Sequence, residues 1–377
     1  MKKMLSLAAM FAVLAYASPA SAELKISGDA STRLRGQYID DNGINKDDLY
    51  FSYRVRLKGA ADLGDGYFFK TMLTNDNAAG GWTSVGTNNT ESAEIEVSNF
   101  YFGRKMEESH YAIGRLPMGS FNNPIYDLTL YPIPRAGVNG STIYTLDIPF
   151  ATYNMDRMFG MNYGTKIGDG ELNTTLFVFS EDSDGNTESE GDGFFGDSYG
   201  LHLSYKFNVG DITIDPQAII ALTDGDGNVY QNVSSNTVGA NIAFPAGRIP
   251  VIGADDVKLS VSGFYTWCKD NNGKYDATTT TTVDYDAILL RLKAEKGSAM
   301  AWVDYSRAND DTNGRKADYD SVFLWAQYKF SIYESAAGSF SLTPALRYLA
   351  STTDNAETDT ETDYSKVKTE LIATVTF

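Results

Sequence analysis

Leu24-Lys25-Ile26-Ser27-Gly28-Asp29-Ala30-Ser31-Thr32-Arg33-Leu34-Arg35-Gly36-Gln37-Tyr38 changes character at every step. Leu24, Ile26, Gly28, Ala30, Thr32, Leu34, Gly36 and Tyr38 share one parity. Lys25, Ser27, Asp29, Ser31, Arg33, Arg35 and Gln37 share the other. Successive side chains of a β-strand point to opposite faces, so this segment presents one apolar and one polar face. One face can meet hydrocarbon and the other water. The next segment repeats the pattern, with Leu49, Phe51, Tyr53, Val55 and Leu57 against Tyr50, Ser52, Arg54, Arg56 and Lys58. Further copies contain Leu201, Leu203, Tyr205 and Phe207, then Val257, Leu259, Val261 and Tyr265, then Val322, Leu324, Ala326, Tyr328 and Phe330. The last sets Val367, Thr369, Leu371, Ala373, Val375 and Phe377 against Lys366, Lys368, Glu370, Thr374 and Thr376.

Sixteen such segments start near residues 24, 49, 67, 93, 109, 155, 172, 198, 211, 237, 256, 284, 299, 319, 339 and 364. Each is long enough to cross a bilayer as a tilted strand, which takes ~9–11 residues. An even number lets the sheet close with both ends on one side. Closure is physically required, because an open edge in hydrocarbon leaves backbone donors unpaired. Tight turns at Asp62–Gly66, Lys105–Glu108, Ile167–Gly170, Asn208–Gly210 and Lys296–Ser298 are expected to alternate with long polar loops. The expected fold is all-β: a sixteen-stranded antiparallel transmembrane β-barrel with a long inward-folded third loop. That loop is residues 117–154, which carry Pro117, Pro124, Pro132, Pro134 and Pro149 and little alternation. Its Phe121, Tyr126, Leu130, Tyr131, Tyr144 and Phe150 favour an ordered loop packed into the lumen.

Lys2 and Lys3 precede an apolar run from Met4 to Tyr16, and Ala20-Ser21-Ala22 follows with small residues in the A-x-A pattern. The run is shorter than the ~20 residues of a spanning helix. Residues 1–22 are therefore expected to be a cleaved signal peptide and residues 23–377 the barrel. The formal charge of −18 excludes a nucleic-acid partner, which needs a basic surface. One cysteine, Cys268, permits no internal disulfide and no cysteine metal cluster. Cys268 lies on the polar parity and is expected to be a small buried or pore-facing thiol. The two histidines, His110 and His202, belong to different strands and no recognisable catalytic motif. No enzyme activity and no cofactor is expected, since acid–base work needs partners within hydrogen-bond reach. Met106, Met118, Met155, Met158 and Met161 read as packing around the third loop. Thr278–Thr282 reads as a loop tip. Tyr38, Tyr50, Phe51, Tyr67 and Tyr265 suit interfacial aromatic girdles.

Together these features resemble the sixteen-stranded, trimeric general porins of Gram-negative outer membranes. The terminal Glu370-Leu371-Ile372-Ala373-Thr374-Val375-Thr376-Phe377 is similar to the signal read by the outer-membrane insertion machinery. Phe100-Tyr101-Phe102-Gly103-Arg104 and Tyr111-Ala112-Ile113-Gly114-Arg115 resemble a turn-linked porin strand pair, and the connection after Arg115 sits where porins place their constriction loop. The family's acidic Pro-Glu-Phe-Gly-Gly-Asp stretch is absent from it. The resemblance implies a homotrimer among outer-membrane lipids and lipopolysaccharide, with a water-filled channel for passive diffusion of small hydrophilic solutes and ions.

Pore chemistry lies in the size and charge of the narrowest ring. Arg33, Arg35, Arg54 and Arg56 have lumen parity. Arg115 joins them by resemblance, although its own parity points outward. The opposing acids on the inward loop would be Asp127 and Asp147. The alternative for the arginines is pairing with carboxylates such as Asp29, which stiffens the wall. Glu181–Asp192 and Asp224–Asn228 are acidic loop runs. Calcium at Asp182, Asp184, Asp224 and Asp226 is conceivable on ligand type, but the twelve-residue spacing ending in Glu is missing and a solvated loop is expected. The acidic rim tips the expected selectivity toward cations. Rival readings are a substrate-selective channel for phosphate or a sugar, and a non-conducting barrel scaffold or adhesin. Arginine or aromatic ladders in the lumen would favour the selective channel.

Overall fold

The computed structural model describes residues 23–75, 82–86, 94–118, 134–136, 143–145, 158–180, 198–224, 233–248, 256–274, 280–312, 316–356 and 358–377. The leader region 1–22 and most of 117–154 lie outside the described residues. Sixteen barrel strands follow in chain order. These are β1 (Glu23–Asp41), β2 (Ile44–Gly64), β3 (Tyr67–Thr74), β4 (Glu96–Lys105), β5 (Ser109–Leu116), β6 (Met158–Ile167), β7 (Gly170–Ser180) and β8 (Ser198–Val209). The second half comprises β9 (Ile212–Ala221), β10 (Ser235–Pro245), β11 (Lys258–Lys274), β12 (Thr280–Lys296), β13 (Ala299–Asp310), β14 (Ala317–Tyr328), β15 (Gly338–Asn355) and β16 (Thr360–Thr376). Every expected start lies within five residues of an observed one.

Each strand pairs antiparallel with its predecessor, and β16 returns to β1 over Asp29↔Thr376 through Asp41↔Tyr364. Phe377 seals the joint: its N–H donates to the Gly28 carbonyl at 3.1 Å, and the Gly28 N–H donates to its carbonyl at 2.8 Å. The sheet therefore has no free edge, as a hydrocarbon setting demands. The outward face is exposed and apolar, with Leu49 68%, Phe51 57% and Leu371 47% accessible. On the inward parity, Ser52, Thr266 and Glu370 are buried, so the alternation in the sequence is realised as two faces.

The rims depart from the expected layout. Asp41 to Ile44 is a tight turn, with Asn42 at φ 51° and Gly43 at φ 83°. Asn-Gly with both φ positive matches the twist of paired strands, so β1 and β2 run on to the turn. Asp40 caps it by accepting from the Gly43 N–H at 2.9 Å. The first connection is thus not a long loop. The connections after β11, β13 and β15 are also short, because those strands continue into their polar flanks. Conversely, β10 and β11 are joined across the tight-turn rim by a longer segment opening with a 3₁₀ turn at Ala246–Arg248. From β11 through β16 to β2 the strands have 12 to 21 residues, against 8 to 12 for β3 to β10. One half of the cylinder is a tall wall, and the other half bears the four longest loops.

Candidate functional site

Arg33 and Arg35 stand two residues apart on β1, and both face the lumen side with Ser31. Closure places Arg35 directly opposite Glu370. Glu370 is buried and gathers three arginines. It takes hydrogen bonds from Arg35, lies 3.5 Å from Arg33 Nη1 and 2.8 Å from Arg347 Nη2. Arg33 Nε also donates to Ser52 Oγ at 3.0 Å, and Arg35 Nη1 to the Tyr50 hydroxyl at 3.0 Å. A buried carboxylate shared by several guanidinium groups satisfies charge that would otherwise be costly to bury. Three cations around one anion still leave a positive wall.

Trp82, in the connection between β3 and β4, covers this cluster. Its ring lies 4.3 Å from Arg33 Cζ and 4.9 Å from Arg54 Cζ, within cation–π range. It is held there because Thr83 and Ser84 pair with Tyr53 and Ser52 of β2, above the point where β3 ends. Arg54 reaches Asp29 at 3.9 Å, and Lys58 reaches it at 4.0 Å. Arg54 and Arg56 are less buried than Arg33 and Arg35. Arg33 and Arg54 thus share the Trp82 ring, Arg35 lies against Tyr50, and Arg56 follows two residues further along β2, opposite Asp29.

The pattern continues around the tall wall. Arg347 Cζ lies 3.4 Å from the Trp325 ring, Trp325 packs on Trp302 at 4.6 Å, and Arg291 Cζ lies 4.9 Å from Trp302. Arg291 is itself clasped by Asp304, Nε to Oδ1 at 2.6 Å and Nη2 to Oδ2 at 2.8 Å. A row of arginines and indoles therefore crosses β12 to β15 and meets the Glu370 cluster.

Arg115 does not join it. Its register partners are Phe100 and Phe159, both exposed on the outward face, and its guanidinium sits 5.7 Å from the Phe159 ring. Its parity decides, because a neighbouring strand cannot turn a single side chain through the sheet. Asp127, Asp147, Asp182, Asp184 and Asp226 lie outside the described residues. Asp224 is described; its backbone carbonyl accepts from Ser198 at 2.6 Å. Glu370, Trp82, Arg347, Trp302 and Trp325 were not singled out by sequence. For Glu370 a signal existed: pairing Phe377 with Gly28 sets it opposite Arg35. At the tight-turn rim, Arg248 bonds Asp211 and Lys296 bonds Asp256, and these cations hold both carboxyls below their usual range.

No known family model and no characterised protein matches this sequence. Solved structures do match in shape. Outer-membrane expressed OmpT of Vibrio cholerae superposes with a TM-score of 0.53 at 12% identity, covering 96% of this chain and 99% of that one. The outer-membrane channel DcaP of Acinetobacter baumannii gives 0.53 at 13% identity, over 96% and 99%. An anion-selective porin from Comamonas acidovorans gives 0.50 at 13% identity, over 95% and 100%. The likeness at such identities is one of architecture: this chain has the closed sixteen-stranded barrel fold of outer-membrane porins.

Proposed function

We propose that this protein is an outer-membrane porin, exported with a cleaved leader at residues 1–22, that passes small hydrophilic solutes and ions through a water-filled lumen. The observation that carries this reading is a closed cylinder, apolar outside and charged inside. A scaffold would have no use for a lumen face bearing arginines, lysines and carboxylates. A homotrimer embedded among lipids and lipopolysaccharide, folded through recognition of Phe377, completes the proposal. Catalysis forms no part of it, and no cofactor is required. Purified protein in a planar bilayer should show steps of conductance in groups of three. A silent bilayer containing verified folded protein would overturn the reading.

A narrower reading, a channel selective for phosphate or a sugar, is favoured by one observation: the arginine–indole row from Arg291 to Arg347. The row sets two indoles between two guanidinium groups, flat apolar faces flanked by donors, with Arg291 held in place by Asp304. Added phosphate or glucose should then reduce single-channel potassium chloride current in a saturable manner. Current that falls only with bulk viscosity would return the protein to the general class.

A further inference from the structure

On the low half of the cylinder, β3 to β9 enclose a lumen-side recess of about 360 Å³. It lies apart from the arginine row, and both histidines of the chain, separate in sequence, line it. His202 Nε2–H donates to Gln217 Oε1 at 3.1 Å, and Gln217 Nε2 donates to Asp215 Oδ2 at 3.0 Å. Asp215 is only 8% exposed, and its other oxygen, Oδ1, is buried with no hydrogen-bond partner. Leaving a buried carboxylate oxygen unmatched is costly, so its presence in a recess marks a place for a donor. Gln217 Nε2 donates to Oδ2 of that carboxylate and leaves Oδ1 without a donor.

The mouth carries both signs: Glu171 lines it, 3.6 Å from His110 Nδ1, and two lysines outnumber it. Lys206 and Lys70 line the same recess with exposed ammonium groups. Ser204 opposite Gln217 and Phe207 opposite Ile214 fix a register that sets Lys206 beside Asp215, yet it does not bond the Oδ1 atom. Tyr101 and Phe68, edge to face at 6.1 Å, form an apolar side. A simple anion would face Asp215, and a simple cation would face the two lysines. A neutral polyol would leave Oδ1 with no charged donor. Among the described residues no set of three ligands could hold a metal.

We propose that this recess binds an α-amino-acid zwitterion on its way through the lumen, its ammonium donating to Asp215 Oδ1 and its carboxylate accepting from Lys206 and Lys70. The proposal deepens the channel reading and rests on it for access to the lumen. The test uses the full mature chain folded in detergent micelles, titrated calorimetrically with L-alanine, propionate, n-propylamine and D-glucose. Parallel single-channel recordings in potassium chloride monitor the pore. L-alanine should bind saturably, and each of the other three at least about tenfold more weakly. Asp215→Asn and Lys206→Ala should each weaken L-alanine binding by about tenfold while the variants still form open channels. If Asp215→Asn does not fold, the exposed Lys206→Ala variant decides. Absence of L-alanine binding, equal affinity for glucose or either single-charge probe, or unchanged affinity in the variants would overturn the proposal. Open channels without L-alanine binding sink the recess alone, whereas binding without conductance sinks the channel.

Discussion

Among single residues, Arg54 and the Arg291–Asp304 pair do different work. Arg54 is part-exposed on the lumen wall, against Trp82 and Asp29. Arg54→Ala should move the reversal potential in a salt gradient toward cations, and a reversal potential equal to that of the parent would remove Arg54 from the conduction path. Arg291 and Asp304 are both almost inaccessible, and their bidentate bond is local. Asp304→Ala leaves a buried guanidinium uncompensated and should cost roughly 3–5 kcal/mol in urea unfolding from micelles. The double change to Arg291→Met and Asp304→Leu should recover most of that loss, since a packed apolar pair replaces a paired charge. If both variants unfold at the same urea concentration as the parent, the pair contributes nothing to the wall. Parity in the sequence placed Arg54 on the lumen side. It could not tell that Arg33 and Arg54 would meet Trp82, which reaches them from another connection.

The turn and the seam are the informative elements. At the first turn, Gly43 adopts a left-handed backbone that a β-branched residue strains by about 1–2 kcal/mol. Gly43→Val should slow folding into micelles and loosen the β1–β2 hairpin, read as a lower temperature of the heat-induced gel shift. An unshifted temperature would show that the turn is dictated by the flanking strands. At the seam, a Cβ on Gly28 would come within 2.6 Å of the Phe377 ring and 2.5 Å of the Arg56 carbonyl. The carbonyl belongs to the backbone and cannot give way, so Gly28→Val should block closure of β1 on β16 and lower the yield of folded barrel. The start of each strand was legible from alternation. The ends were not, because a polar flank is silent on whether it continues a ladder or leaves it: Asn42-Gly43 resolves that for β1 and β2, while β11 and β12 extend with no such marker.

Across the whole molecule, the two faces of the cylinder give a direct check. With Cys268 replaced by Ser, a thiol at Arg54 should react with a water-soluble maleimide in intact proteoliposomes, and a thiol at Leu371 should not. Reaction at both positions would mean that the outward face is not in lipid. The acidic rim and the basic wall pull ion selectivity in opposite directions, and the sign expected from sequence alone, toward cations, awaits the same salt-gradient measurement. The unequal wall is a property no local reading contains, since it emerges only from the order of neighbours around the circumference, with 21 residues in β2 beside 8 in β3.

Taken alone, the order of residues determined that strands form, how many there are and which face of each meets lipid, because a two-residue period is written into the chain one side chain at a time. Only the tertiary structure decided that Glu370 would meet Arg35, Arg33 and Arg347, that Trp82 would cover the arginines, that Arg115 would stay outside, and that His110 and His202 would share one recess. Those contacts join residues far apart in sequence, and their distances depend on register, strand tilt and closure, which no local period encodes.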